Sequence, residues 1–156
     1  MRRKDREITD RTRINEIIAD CYCCRLGFND NGRIYIVPLN FGFEDTDGKR
    51  IFYFHGAAEG RKIDLIKNTH YAGFELDTNY KLKDAASACS YSAAFQSVIG
   101  EGRVDLIEDS DQKKHALRCI MYHNTGRADW DFSPAMLDKL SVFSLEAEEL
   151  SCKEHS

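Results

Sequence analysis

Two basic residues, Arg61 and Lys62, stand where a helix begins. The stretch FHGAAEGRKIDLIKN (54–68) leaves a strand-like run, IFYF, at a histidine, crosses a loop of small residues and then takes on helical spacing. Cations are unfavourable in the first turn of a helix, where the positive end of the dipole lies. The same turn presents free backbone N–H groups, which favour an anion. Adding Arg61 and Lys62 makes the position costly when empty and strongly favourable for a dianion. Gly56, Ala57, Ala58 and Gly60 keep the loop slim, so a ligand can approach the backbone. The chemistry implied is phosphate binding, and the competing explanation is a solvated basic helix face. Neither G-x-x-x-x-G-K-[ST] nor G-x-G-x-x-G occurs, so neither a nucleotide triphosphatase nor a dinucleotide-binding fold is indicated.

A second feature lies upstream in VPLNF (37–41). Pro38 lacks an amide donor, so it implies a sheet edge or a break in the ladder. Backbone groups left unpaired there can hydrogen-bond the edge of a planar heterocycle, while Phe41, Phe43 and Tyr53 bury its faces. A flat ring with a phosphate tail is the shape of flavin mononucleotide (FMN). Asn40 could equally satisfy a strand edge. His55, at the strand end, can titrate, stack or pack. His70, His115, His123 and His155 are scattered and read as surface or helix positions.

Six cysteines occur: Cys21, Cys23, Cys24, Cys89, Cys119 and Cys152. Cys21 and Cys24 form a C-x-x-C, but no second pair supplies the remaining ligands of a closed zinc site. Core packing of reduced thiols is expected, and no metal site is expected.

The elements that carry these residues follow from periodicity. Ile14, Ile17, Ile18 and Cys21 predict a helix over 10–21, capped by Thr9 or Asp10. CRLGF (24–28), NDNG (29–32) and RIYIVPLNFGF (33–43) predict a hairpin through an Asn-Gly turn. EDTDGK (44–49) reads as a turn, RIFYFH (50–55) as a strand, 61–68 as a helix and YAGFELD (71–77) as a strand. Residues 78–89 read as a connection, and 90–108 as a long strand bent or bulged at Gly100 and Gly102. Ser110 is expected to cap a helix running through His123, with Gly126 near its end. Ser133-Pro134 starts a brief helix, and 140–150 is a last strand. About six antiparallel strands with three or four helices predict a mainly β, α+β fold, a barrel with helices on its outside.

The chain has 156 residues and a net charge of −4, with ordinary apolar content. One domain spanning 1–156 is expected, with no repeat or linker. The acidic balance argues against a nucleic-acid partner. No apolar run approaches a membrane span, and MRRKDREITD is not followed by a signal-peptide core. A soluble cytoplasmic protein with no membrane partner is expected.

MRRKDREITD, RIYIVPLNFGFE, IFYFHGAAEGRKIDLIKN and SVIGEGR, in this order, resemble the 5-nitroimidazole resistance (Nim-type) proteins of the pyridoxamine 5′-phosphate oxidase-like flavoproteins. The resemblance runs from residue 1 to about residue 125. It implies an FMN-binding split β-barrel, mostly antiparallel, acting as a homodimer with the flavin at the interface. Carried over, Val37, Pro38, Leu39 and Asn40 would line the isoalloxazine ring through backbone groups. Gly60, Arg61 and Lys62 would form the phosphate site, with Lys62 the main anchor. His55 would sit beside the ring as the candidate catalytic side chain. Gln96, Ser97 and Val98 would approach across the interface, and Trp130 would cover the pocket.

The implied activity is FMN-dependent reduction of small-molecule nitroaromatics such as 5-nitroimidazoles. Two alternatives stay open. One is a haem-binding or haem-degrading split barrel with His55, or a histidine from the helical region, as axial ligand. The other is a flavin-binding protein without turnover. A pyridoxamine phosphate oxidase proper ranks below these, because the tail LEAEELSCKEHS is acidic and offers no second phosphate site.

Overall fold

The computed structural model describes residues 3–156; Met1 and Arg2, which begin the MRRKDREITD motif, lie outside the described residues. In chain order the elements are β1 (Glu7–Ile8), α1 (Arg11–Asp20), β2 (Cys24–Asp30), β3 (Arg33–Leu39), β4 (Gly42–Thr46), β5 (Lys49–Ala57), α2 (Arg61–Thr69), β6 (Tyr71–Lys83), β7 (Ser92–Leu106), α3 (Ser110–Thr125), α4 (Pro134–Asp138) and β8 (Leu140–His155). The strands form one antiparallel sheet in the order β3-β2-β6-β7-β8-β5-β4, with β1 added to the far half of β8.

Local chemistry accounts for most of these boundaries. Asp10 caps α1 by accepting from the Arg13 N–H at 2.7 Å. Asn31 and Gly32 take φ of 52° and 85°, and Asp47 and Gly48 take 51° and 78°. Such paired positive φ values make the two-residue hairpin turns that match strand twist. Ser133 caps α4 with Pro134 in its first turn.

Several expectations need correcting. RIYIVPLNFGF is two strands, and the break falls at Asn40–Phe41 rather than at Pro38. Of the two readings of Pro38 the edge position holds: it pairs with Arg25 inside the ladder, on the edge strand β3. Glu44–Thr46 belong to β4, so only Asp47 and Gly48 turn. The 78–89 connection is partly strand: β6 continues to Lys83 past an irregularity between Thr78 and Lys81, where Asn79 has φ 55°. Asp109, not Ser110, caps α3. The irregularity near Gly102 places the extra residue, Glu148, in β8, because Glu101 pairs with Glu149 and Gly102 with Ala147.

The sheet curls but does not close. Its two edges, β3 and β4, are consecutive in the chain and joined only by Asn40 and Phe41. Three Cα steps separate Leu39 from Gly42, so the edges stand within about 11 Å of each other there. β4 pairs with β5 only as far as Tyr53, opposite Gly42. Beyond it, Phe54–Ala57 pair with β8 on one side and, among the described residues, have no strand on the other. A seam therefore runs between the free edge of β3 and the free end of β5.

The interior is filled by Phe28, Phe52, Phe54, Phe74 and Phe143, with Ile17 and Ile18 of α1 and Ile63 and Ile66 of α2 closing it. Each such side chain contributes roughly 1.5–3 kcal/mol on burial. A second cluster packs α3 and α4 on the opposite face of β5 through Tyr53, Leu117, Ile120, Leu137 and Val142.

Candidate functional site

The N-terminus of α2 sits at this seam. Gly60 occupies the cap position with φ 135°, a conformation that side chains disfavour. No side chain caps the helix, and the Gly60 carbonyl accepts from the N–H groups of Ile63 and Asp64. A Cβ added at Gly60 would meet nothing within 4 Å, so the approach to the first-turn donors is open.

Arg61 and Lys62 point in different directions. The Arg61 guanidinium donates to Asp30 at 2.7 and 3.0 Å and lies 4.4 Å from the Tyr35 ring centroid, so it binds the β2–β3 hairpin. Lys62 lies against β5: a Cβ on Gly56 would fall 2.6 Å from Lys62 Cε and 3.1 Å from Nζ. Gly56 is thus the groove that seats the lysine. Among the described residues no carboxylate lies within ion-pair distance of Lys62, whereas Arg61 has Asp30. Because the two are consecutive, the helix start spans from β3 to β5 and brings the edges of both strands to one place.

Val37 and Leu39 turn toward the interior with Tyr35, while Ile34, Ile36 and Pro38 alternate outward. The free edge of residues 37–39 therefore faces the seam with its backbone. Asn40, at the joint, donates to Asn124 Oδ1 at 3.2 Å, and Asn124 donates to the carbonyls of Phe41 and Ile120. That ties the joint to the C-terminal turn of α3. His123 is a helix position, in the last turns of α3: its half-buried ring lies 4.2 Å from Phe41, and Nε2–H donates to the Cys21 carbonyl at 2.6 Å.

His55 pairs with Val142 and alternates to the face that carries α3 and α4, opposite the face where Lys62 lies. The residue is solvent-exposed, yet packing around the ring, and then the charge of Lys62, push its pKa below the ordinary 6.5. That shift favours the uncharged ring at neutral pH.

The long-strand candidates separate. Gln96 is 7% exposed, and its amide accepts from Asn79 at 2.7 Å and donates to Glu154 at 2.6 Å. Glu154 in turn holds Arg13 of α1. This is an internal network that fastens α1, and it engages both ends of the Gln96 amide. Val98 is fully buried in the core. Ser97 alone faces outward. Trp130 lies in the loop between α3 and α4; its Nε1–H donates to the Arg127 carbonyl, and Arg127 stacks on the ring at 4.8 Å. Cys21 and Cys24 are both buried in the main core, with burial pushing Cys21 up to about 12 and Cys24 well above its usual value.

Clefts of 280 to 420 Å³ open elsewhere on the surface, among them one beside Tyr53 and His115 and one beside Ile36 and Gly73. Bounded by the free edge of β3 and the free end of β5, with the uncapped start of α2 beside them, the seam is a trough. A trough with an uncapped helix end, an unpaired lysine and two free strand edges suits a flat anionic ligand covered by something else.

A family model described as pyridoxamine 5′-phosphate oxidase matches residues 10–154. No curated protein matches the chain. Among solved structures, a proposed 5-nitroimidazole antibiotic resistance protein from Bacteroides thetaiotaomicron VPI-5482 is 31% identical, with TM-score 0.82, over 95% of this chain and 86% of that one. The flavocytochrome Anf3 from Azotobacter vinelandii is 23% identical, with TM-score 0.83, over 100% of this chain and 72% of that one. An FAD and haem binding protein from Mycobacterium smegmatis is 16% identical, also with TM-score 0.83, over 97% and 74%. The last two likenesses concern the fold.

Proposed function

The chain belongs to the pyridoxamine 5′-phosphate oxidase family, and on that premise we propose that it is a flavoprotein that seats FMN in the seam. The carrying observation is the uncapped start of α2, where Gly60 opens the backbone and Lys62 has no carboxylate partner among the described residues. Lys62 and the first-turn N–H groups would hold the phosphate. Arg61, committed to Asp30 and Tyr35, would contribute field and rigidity more than a direct contact. The backbone of Val37, Pro38, Leu39 and Asn40 would meet the polar edge of the ring, and His55 would lie at the neighbouring strand end. Gln96 and Val98 would support the site from within the sheet, Ser97 would reach it from a partner copy, and Trp130 would cover it.

When bound, the flavin supplies the electron transfer, and the chain holds and tunes it. The likeness to the Bacteroides protein favours reduction of small nitroaromatic compounds such as 5-nitroimidazoles. The open trough favours a homodimer in which a second copy closes the site. A haem ligand is the second reading, motivated by the names of the Azotobacter and Mycobacterium neighbours and by the uncharged His55 ring, which can ligate iron.

The test is the visible spectrum of the freshly purified protein, followed by release of the chromophore. A two-band yellow spectrum yielding FMN is expected. A Soret band would favour the haem ligand instead, and a colourless protein that takes up no added FMN would end the flavin proposal. Lys62→Ala is expected to weaken FMN binding about 10- to 100-fold, the worth of one charge-assisted phosphate contact. Unchanged affinity in a titration would remove Lys62 from the phosphate site.

A further inference from the structure

The contact between α3 and β4 gathers three metal-binding side chains that the flavin proposal leaves unused. His115 and Cys119 are four residues apart on α3 and so share a face of the helix. Glu44 meets them from β4. His115 Nε2 lies 3.1 Å from each carboxylate oxygen of Glu44 and 3.6 Å from Cys119 Sγ. The three ligand atoms all lie within 4.8 Å of one another.

We propose that Glu44, His115 and Cys119 bind one divalent ion of the zinc class. Zinc bonds of about 2.1 Å to nitrogen and 2.3 Å to sulfur, in a tetrahedral shell, set those two ligand atoms about 3.6 Å apart. The separation here is 3.6 Å. A simple histidine–carboxylate hydrogen bond needs one oxygen and no thiol. Here the imidazole nitrogen is equidistant from both oxygens, with the sulfur beside it. Carboxylate, imidazole and thiolate together suit zinc, whereas magnesium and calcium take oxygen ligands.

The surroundings support the same assignment. The Tyr53 hydroxyl donates to Glu44 Oε1 and orients the carboxylate, as partners of metal ligands commonly do. Its ring meets the His115 ring edge-on at 5.8 Å. The two elements are held at close range because Gly42 has no side chain: a Cβ there would fall 2.4 Å from the Ile120 nitrogen of α3. Three protein ligands leave a fourth position, and a cleft of 390 Å³ lined by Tyr53, Asp111, His115 and Ser144 gives water access to it.

Full-length protein titrated with zinc alone, by calorimetry, is expected to bind one equivalent. With cobalt alone, a near-ultraviolet thiolate-to-cobalt charge-transfer band is expected. Cys119→Ser should abolish that band and His115→Ala should weaken binding at least about tenfold, while Cys23→Ser changes neither. Tyr53→Phe keeps every ligand; it should keep the band and still lose about tenfold in affinity. Melting temperatures of the variants separate misfolding from lost ligation. Wild-type protein that binds no zinc at micromolar concentration would overturn the proposal. So would a band that survives Cys119→Ser or vanishes in Cys23→Ser.

Discussion

Lys62 acts on two neighbours at once. Its side chain fills the groove left by Gly56, and its charge adds to partial burial in lowering the His55 pKa. Lys62→Ala therefore moves the His55 midpoint upward, toward but not to 6.5, because the burial remains. Imidazole proton NMR across an acid titration reads this directly, with no cofactor needed. A midpoint that stays put would mean that the lysine charge is directed away from the ring. His123 is lowered too, by burial, against a smaller opposing effect of its bond to the Cys21 carbonyl. Both folded values lie below the unfolded one, so the unfolded chain binds more protons in acid. The stability they contribute is complete above about pH 6.5 and is lost as pH falls through that value toward the folded ones. At this scale the sequence was informative where the signal was local. Basic residues at a helix start are visible as a pattern, and Lys62 is found unpaired there. Arg61 carries the same pattern, but its partners Asp30 and Tyr35 come from an earlier hairpin and no spacing announces them. Gln96 is likewise engaged by Asn79 and Glu154, from two other strands. Of the Glu44–His115–Cys119 group, only the i, i+4 pair on α3 was there to be seen.

Glycines separate the element-scale roles. Gly56 and Gly102 both sit in strands, and both forbid a side chain for want of space. At Gly56 the obstacle is the flexible end of Lys62. Gly56→Ala should therefore leave stability unchanged or raised by about 0.4–1 kcal/mol from the stiffer unfolded chain, with the melting temperature the same or slightly higher. The lysine would be displaced from its groove, and FMN affinity should fall. At Gly102 the obstacle is backbone: a Cβ would lie 2.0 Å from the Glu146 carbonyl oxygen, where β8 bulges. Gly102→Ala should destabilise by about 1–3 kcal/mol, as overpacking does. Thermal melts of the two variants, with FMN titrations of the first, check the pair. Equal destabilisation would mean that Lys62 is as fixed as a backbone. The strands themselves were largely legible, since Asn-Gly and Asp-Gly mark both two-residue turns. What was missed has physical reasons. β1 is two residues long and holds only by pairing with β8, so it carries no period. The second half of β6 is polar and follows an irregularity, so its alternation is lost. The break at Asn40–Phe41 is made by α3, through Asn124, and not by the proline two residues before it.

The whole molecule presents one face that a lone chain does not account for. Ile34 and Ile36 on β3 are 72% and 62% exposed, and Ile99 on β7 is 51% exposed. Between β3 and β7 the sheet carries Gly27 and Gly73, which the register places side by side with Ile36. A cleft of 420 Å³ bordered by Ile36, Gly27, Gly73 and Gly100 opens on this face. Apolar ridges on an edge strand beside a floor without side chains invite association unless something covers them. Ser97 lies on the same outward set as Ile99, two residues away. A second copy docked here would cover the isoleucines and bring Ser97 of one chain toward the other, as a shared flavin site requires. Sedimentation equilibrium is expected to show a dimer for the wild type. Ile36→Glu combined with Ile99→Glu leaves the interior untouched and places a carboxylate in each contact, where burial without a partner costs several kcal/mol. The double variant should sediment as a monomer with an unchanged far-ultraviolet spectrum, and should release FMN on gel filtration because each trough is then uncovered. A monomeric double variant that keeps FMN as tightly as the wild type would show that one chain suffices for the site, and the partner would lose its place in it.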